Sequence, residues 1–522
     1  MLKNIKNPYL PLIVFIGINL FLFSSVSPLH SIMNMQYNEW LYYLIGKGMI
    51  NGLVPYRDLL DHKGPYLFYF FGIANIISYK HIGLFLLALF IYSLIAIFSY
   101  KITLLILSNE NKKSSSSMNS IISFFVAFLI YFIISSYYMS FGTISSEAFT
   151  LPFMFMSYYL FLSFLYNNSS YKLKNMSVYG ICAGIAFFIK ANAVLSYVPI
   201  AIYLLFYFLR RKEFKNLFLN FIVGLSSFII ALLPAVIYSL ATNSFHDMID
   251  GAFTVNILYT GTGMPSSASV YESLIETITT FKKFTILCFL SIFALFYFLN
   301  PTKENKKLKS FTANTSGIMI FYIFSLMINI YSVYMSCRPY TNYLAYLLFY
   351  LIPLIAFLAK GFLSLCKTRP IITLCISILL INVLAYSFTY EISDTNGRIQ
   401  RTISDKAIKI YNKYEHKKSK PNLLVVGYAP YLYEAFDTLP NEKYFATPVV
   451  SRKKYSKPYD AILNRIKKSD EDLVIVAFER AMIKDKSFQE NVLSALDEAY
   501  INIGSADTLG QKIDIYALKN EE

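Results

Sequence analysis

Charge is scarce in this chain. Only 15% of its 522 residues are Asp, Glu, Lys or Arg, while 56% are hydrophobic, and the mean hydropathy is +0.48. Soluble globular domains carry about a quarter charged residues, so that class is excluded. Cysteine is scarce as well. Cys182, Cys288, Cys337, Cys366 and Cys375 lie in or beside apolar runs. None has metal-ligand spacing, and no disulfide framework is visible. Nucleotide and hydrolase signatures are missing: there is no Walker sequence, no dinucleotide fingerprint, no His-Glu-x-x-His and no Gly-x-Ser-x-Gly. No internal repeat or coiled coil appears, and low complexity is confined to Ser114–Ser117.

Apolar runs are abundant. About 20 such residues cross the hydrocarbon of a bilayer, and spans are expected near 9–28, 82–107, 120–137, 148–166, 175–189, 193–209, 216–241, 284–300, 316–335, 341–359 and 370–388. The fold class is therefore an all-α polytopic membrane domain of about eleven helices over residues 1–389. The formal charge of +16 belongs to membrane loops and not to a nucleic-acid surface. Lys112 and Lys113, Lys172 and Lys174, Arg210 to Lys215, Lys303 to Lys309, and Lys360 to Arg369 mark cytoplasmic loops together with Lys3 and Lys6. That count puts the N-terminus inside, behind an uncleaved first span, and the C-terminus outside. The run Tyr66 to Ser78 is too short to cross and reads as an interfacial helix.

The outer side then carries loops near 29–81 and 242–283, a turn from Gly142 to Glu147, and the tail 390–522. The tail is richer in Lys, Asp and Glu. Leu423–Gly427 and Leu473–Phe478 read as buried strands, and Ser487–Ile501 has helical spacing, so a small extracytoplasmic α/β domain is expected.

The polar residues at this face are the candidates for chemistry, because charge beside a membrane span persists where it is buried in protein or lines a wet cavity. Glu39, beside Asn38, is a candidate general base. In Gly52-Leu-Val-Pro-Tyr-Arg-Asp58-Leu-Leu-Asp61-His62-Lys63-Gly-Pro65, Asp58 and Asp61 would face one way on a helical turn. With His62 they offer a weak site for a divalent cation, the one cofactor the sequence suggests, with its metal unknown. Asp58 also suits a turn or cap after Pro55. Arg57 and Lys63 suit a phosphate or balance the aspartates. Glu147 opens a span, where an acid also favours a helix N-terminus. Lys190 ends a short span, placed to snorkel or to reach a phosphate. Arg338, in Arg338-Pro-Tyr340-Thr-Asn342-Tyr343, suits bidentate phosphate recognition or an interfacial anchor.

At these residues the chain resembles the dolichyl-phosphate-mannose protein mannosyltransferase-like family (glycosyltransferase family 39-like), bacterial branch, of the GT-C membrane glycosyltransferases, relatives of the lipid A aminoarabinose transferases. The resemblance covers residues 1 to about 390. It is carried by the first-loop run Gly52–Pro65, by Gly184-Ile-Ala-Phe-Phe-Ile-Lys190 and by Arg338-Pro-Tyr-Thr-Asn342-Tyr343. It implies an inverting transferase that moves a sugar from a polyprenyl-phosphate donor to a hydroxyl of a glycan, lipid or protein acceptor, in a bacterial cytoplasmic membrane. Glu39, Asp58 or Asp61 would be the base. Arg57, His62, Lys63, Glu147, Lys190, Arg338, Tyr340, Asn342 and Tyr343 would bind substrate. The chain departs from the family at Asn38, where an Asp is usual, and at Asn342, where a His is usual. A polysaccharide polymerase or ligase, and a flippase for lipid-linked sugars, are the alternatives.

Overall fold

The computed structural model describes residues 8–29, 34–78, 81–108, 116–136, 139, 144–167, 171–259, 270–299, 315–335, 337–365, 391–446, 450–478, 485–508 and 511–519. The expected span 370–388, much of the polar turn before Glu147, and most of the basic loops around 112, 303–309 and 367–369 lie outside the described residues. The chain divides into two compact units. One comprises 1–24, 85–235 and 276–390, and the other 25–84, 236–275 and 391–522.

The first unit is helical. It contains α1 (Tyr9–Phe23), most of α4 (His81–Ser108), α5 (Ser116–Ser135), α6 (Ser146–Tyr166), α7 (Leu173–Phe187), α8 (Val198–Arg210), most of α9 (Phe214–Ala241) and α12 (Val270–Leu299), α13 (Thr315–Tyr334) and α14 (Ile352–Leu365). Eight helical stretches among the described residues are long and apolar enough to cross a membrane. Two of them begin as 3₁₀ helix, Ala191–Tyr197 before α8 and Thr341–Leu351 before α14. α12 starts fourteen residues before the expected 284, because Glu272, Glu276, Lys282 and Lys283 break the apolar run without breaking the helix.

Several polar side chains inside this unit are paired across helices, as a membrane interior favours. Tyr131 on α5 donates to Asn19 on α1 at 2.8 Å. Asn329 on α13 is the larger knot. It donates to the hydroxyls of Tyr158 and Tyr350 at 3.1 and 3.0 Å and accepts from Ser196 at 2.7 Å. One side chain thus ties both 3₁₀ stretches and α6 to α13. In a 3₁₀ helix residues three apart eclipse, so Tyr343, Tyr346 and Phe349 stand in one row.

α7 meets α9 through glycine. A Cβ on Gly180 would sit 2.4 Å from the carbonyl oxygen of Gly224, and one on Gly184 would sit 2.8 Å from Ala231 Cβ and from the Phe228 carbonyl oxygen. This is the small-residue contact by which helices approach in lipid, and it sets the height at which α7 delivers Lys190.

The second unit contains α2 (Tyr37–Ile50), α3 (Pro65–Ile77), α10 (Phe245–Ile249), a π turn (Asp250–Thr254), α11 (Val255–Tyr259) and the C-terminal domain. α3 is the short helix expected from Tyr66 to Ser78, started by Pro65 in its first turn, where proline costs nothing. The C-terminal domain runs α15 (Glu391–Asn412), β1 (Leu423–Gly427), α16 (Tyr431–Ala435), α17 (Lys457–Lys468), β2 (Leu473–Ala477), α18 (Lys486–Ala499), β3 (Tyr500–Thr508) and β4 (Gln511–Leu518). The sheet order is β1-β2-β4-β3. β1 and β2 are parallel, and β4 is antiparallel to both β2 and β3. Alternate residues Leu424, Val426, Val474 and Val476 meet Ile462, Ile466, Phe488, Val492 and Leu496 of α17 and α18 in one core. β1 and β2 are buried along their length, which is why they read as unbroken apolar runs.

Candidate active site

In the first unit, α6 is capped by Ser145, whose hydroxyl accepts the Ala148 N–H at 3.3 Å. Glu147 follows in the first turn with its side chain fully buried. It is a helix-start acid and also the centre of a polar cluster. Lys190, just past α7, donates to its Oε1. Asn342 donates to Oε2 at 2.8 Å, and the neighbouring Ser146 hydroxyl donates to Oε2 at 3.1 Å. Lys190 Nζ also lies 3.9 Å from the centre of the Tyr343 ring, a cation–π contact strengthened where water is excluded. The Tyr340 ring packs edge-on against Tyr343 at 5.9 Å. Arg338 is buried, at 1% exposure, so it is no surface anchor. Cys337 before it takes a left-handed backbone (φ 49°) to make the turn.

Five expected residues, Glu147, Lys190, Tyr340, Asn342 and Tyr343, therefore come together around one buried carboxylate. The cluster also holds orphans. The hydroxyl of Tyr340 and the Oδ1 of Asn192 are buried with no hydrogen-bond partner among the described residues, while the buried Tyr346 and Tyr197 hydroxyls lie beside Thr150 and Ser157. A buried polar group left unmade costs about 1–3 kcal/mol, so the orphaned atoms of Tyr340 and Asn192 point to a polar guest or to ordered water. Tyr346, Tyr197 and Asn192 were not singled out from the sequence, since tyrosine is too common here, at 44 copies, to stand out.

In the second unit, the first-loop signature is a tight turn and not a helix. Tyr56 has a left-handed backbone (φ 68°), and its N–H meets the Leu59 carbonyl at 2.7 Å. Asp58 accepts the Val54 N–H at 2.7 Å and two hydrogen bonds from Arg57 at 2.8 Å each. The Arg57 hydrogen bond holds the Asp58 carboxyl below its ordinary value against the opposing effect of burial. Asp58 and Asp61 thus do not share a helical face. Asp58 closes the turn, as its position after Pro55 allows, and Asp61 turns to other partners.

Asp61 is buried, at 6% exposure. It accepts the Lys63 N–H at 3.0 Å and stands 3.5 Å from His62 Nδ1. Lys63 Nζ in turn lies 2.7 Å from His62 Nε2. Burial would raise the Asp61 carboxyl, but His62 and Lys63 outweigh it and hold the group below the usual carboxylate range. The Tyr56 hydroxyl donates to the Lys63 carbonyl at 2.6 Å and locks the turn. Glu39 is buried at 3% exposure and closes a capping box, accepting the Gln36 N–H at 3.2 Å. Asn38 beside it is exposed. No group of three or more His, Cys, Asp or Glu side chains among the described residues is placed to hold a metal ion.

No family model and no curated protein matches the sequence. Solved structures do match. Two are crystal structures of ArnT from Cupriavidus metallidurans, one bound to undecaprenyl phosphate and one in the apo state. Each superposes with a TM-score of 0.53 over 97% of this chain and 97% of that chain, at 11% sequence identity. The chain has the GT-C fold. The expected membrane domain and C-terminal α/β domain are both part of that match. At this identity the GT-C fold is what is shared, and the reaction needs its own argument.

Proposed function

We propose that this chain is an integral-membrane inverting glycosyltransferase that takes a sugar from a polyprenyl-phosphate donor and passes it to an acceptor hydroxyl at the extracytoplasmic face. The observation that carries this reading is the end-to-end match to a GT-C protein crystallised with undecaprenyl phosphate. The buried cations at the ends of spans support it, because a lipid phosphate needs charge at that depth. The mannosyltransferase-like resemblance of the first loop supports it further.

In this reading Lys190 and Arg338 bind the donor phosphate and stabilise the charge that grows as it leaves. Glu147 orients Lys190, and Asn342 orients Glu147. The Tyr340 and Tyr346 hydroxyls donate to sugar or phosphate oxygens. Glu39 is the preferred base. Asp58 and Asp61 are held as anions by cationic neighbours, and a carboxylate of depressed pKa is a poor proton acceptor. Attack opposite the phosphate inverts the anomeric carbon.

The test is sugar release from radiolabelled polyprenyl-phosphate sugars by the purified protein in detergent, with a panel of hydroxyl acceptors. Release by wild type, inhibited by undecaprenyl phosphate and lost in Lys190→Ala, is expected. Binding of undecaprenyl phosphate with no release from any donor and acceptor pair would replace this reading with one of lipid transport.

A further inference from the structure

Residues of the C-terminal domain close on the first-loop signature through a segment that neither motif nor resemblance pointed to. That segment is α10, the π turn and α11. The π turn brings Gly251 onto Tyr56 so closely that a Cβ there would sit 2.6 Å from Tyr56 Cδ1 and 3.6 Å from the Asp61 carbonyl oxygen. One turn on, Asn256 donates to the His62 carbonyl, and the Tyr259 ring lies 5.2 Å from the His62 ring. π turns inside helices are rare and recur at functional sites. Here the extra residue puts the one side chain small enough to fit, glycine, against the signature.

Two C-terminal residues hold this segment. The Tyr455 hydroxyl donates at 2.8 Å to Asp250 Oδ2, the first residue of the π turn. Tyr455 also packs with Val450 against Val255, Leu258 and Tyr259 of α11. Lys443 works at both its ends. Its ammonium pairs with Asp247 on α10, and its main-chain carbonyl accepts the N–H of Leu60, one residue before Asp61, at 2.8 Å. The Lys443–Asp247 pair is partly exposed, at 25% and 30% of the side chains. Its value is therefore less in Coulomb energy than in geometry.

We propose that Lys443 and Tyr455 are positioning residues for the transfer reaction: they clamp the 245–259 segment against Tyr56 and Asp61 and so hold His62 and Lys63 in their working arrangement. The proposal rests on the transferase reading for its catalytic half and on contacts alone for its mechanical half. It gives the C-terminal domain a task inside the catalytic cycle, acting through the π turn and touching no substrate. Positions of reacting groups matter to within about an ångström, so slack in this clamp lowers the rate of the chemical step more than donor binding.

The test uses the full chain in detergent. Tyr455→Phe removes one hydroxyl, Lys443→Met removes one charge, Lys443→Arg keeps it, and Arg452→Ala is a control at another C-terminal ion pair. Hydrogen exchange is followed for residues 56–63 and 248–259, with the strands 423–427 and 473–477 as an internal measure of the domain fold. Tyr455→Phe and Lys443→Met are expected to raise exchange at 56–63 about tenfold and to lower kcat about tenfold. The strands and the donor KM should stay within about twofold, and Lys443→Arg and Arg452→Ala should behave as wild type. Unchanged exchange at 56–63 in both variants would overturn the clamp. Raised exchange with unchanged kcat would overturn its role in the reaction. If wild type turns over no donor, the transferase reading and the catalytic half fail together, while the exchange arm still decides the clamp.

Discussion

Glu39 and Glu147 are both buried acids in the first turn of a helix, yet they make different predictions. Glu39 accepts the Gln36 backbone N–H, which a glutamine oxygen accepts as well. Glu39→Gln should therefore keep its melting temperature within about 2 °C, while turnover falls by about 100-fold or more, as for loss of a general base. Full activity in the variant would return the role to Asp58 or Asp61. Glu147 neutralises a lysine. Glu147→Gln leaves Lys190 without its counter-charge, and breaking such a pair on one side costs about 3–5 kcal/mol. The double variant Glu147→Gln/Lys190→Met should recover much of that stability and none of the activity. Thermal unfolding in detergent reads the first effect and donor turnover the second. A double variant as unstable as Glu147→Gln alone would mean that the pair is not what the carboxylate supports.

Elements were legible from the sequence where burial is complete on all sides and obscure where it is partial. β1 and β2 show as five-residue apolar runs because both faces are covered. β3, with Asn502, Ser505 and Asp507 among its residues and a bulge at Asn502/Gly504, carries no such run and was not expected. α15 was missed for the same reason, as a helix whose sequence is mostly polar. The 3₁₀ stretches could not be read at all. Apolar spacing at three and at 3.6 residues is hard to separate over eleven residues when nearly every residue is apolar. The Gly184–Lys190 run was legible as a motif, but its mechanical meaning appears only with α9 alongside. Gly180→Ala should test it. The added methyl has 2.4 Å to a backbone oxygen where it needs more than 3 Å, so α7 must shift away from α9, costing about 1–3 kcal/mol. The shift should weaken undecaprenyl phosphate binding through displacement of Lys190. A variant with wild-type unfolding and wild-type lipid binding would show that the interface yields without moving the lysine.

At the scale of the molecule, the sequence marked the first-loop signature and the Arg338 turn because charge is rare around them. It could not mark Lys443, Asp250 and Tyr455, since lysine, aspartate and tyrosine are ordinary residues and the pairs they form are 196 and 205 residues apart in the chain. Direction across the bilayer is the remaining whole-chain statement that the sequence makes on its own, through the basic loops. It yields a prediction independent of catalysis. Arg211, between α8 and α9, and Asp437, in the C-terminal domain, are both exposed. With the native cysteines replaced, Asp437→Cys should react with a membrane-impermeant maleimide on intact spheroplasts, and Arg211→Cys only after permeabilisation. The expectation follows from counting: Arg210, Arg211, Lys212 and Lys215 sit in one short loop, and moving such a loop to the outside works against the retention of positive charge in the cytoplasm. A polyprenyl-phosphate sugar offered at the outer face would then meet the side on which the C-terminal domain stands. The reverse labelling pattern would place that domain in the cytoplasm, where nucleotide sugars are at hand. A donor linked to lipid would then lose its rationale, whatever the fold.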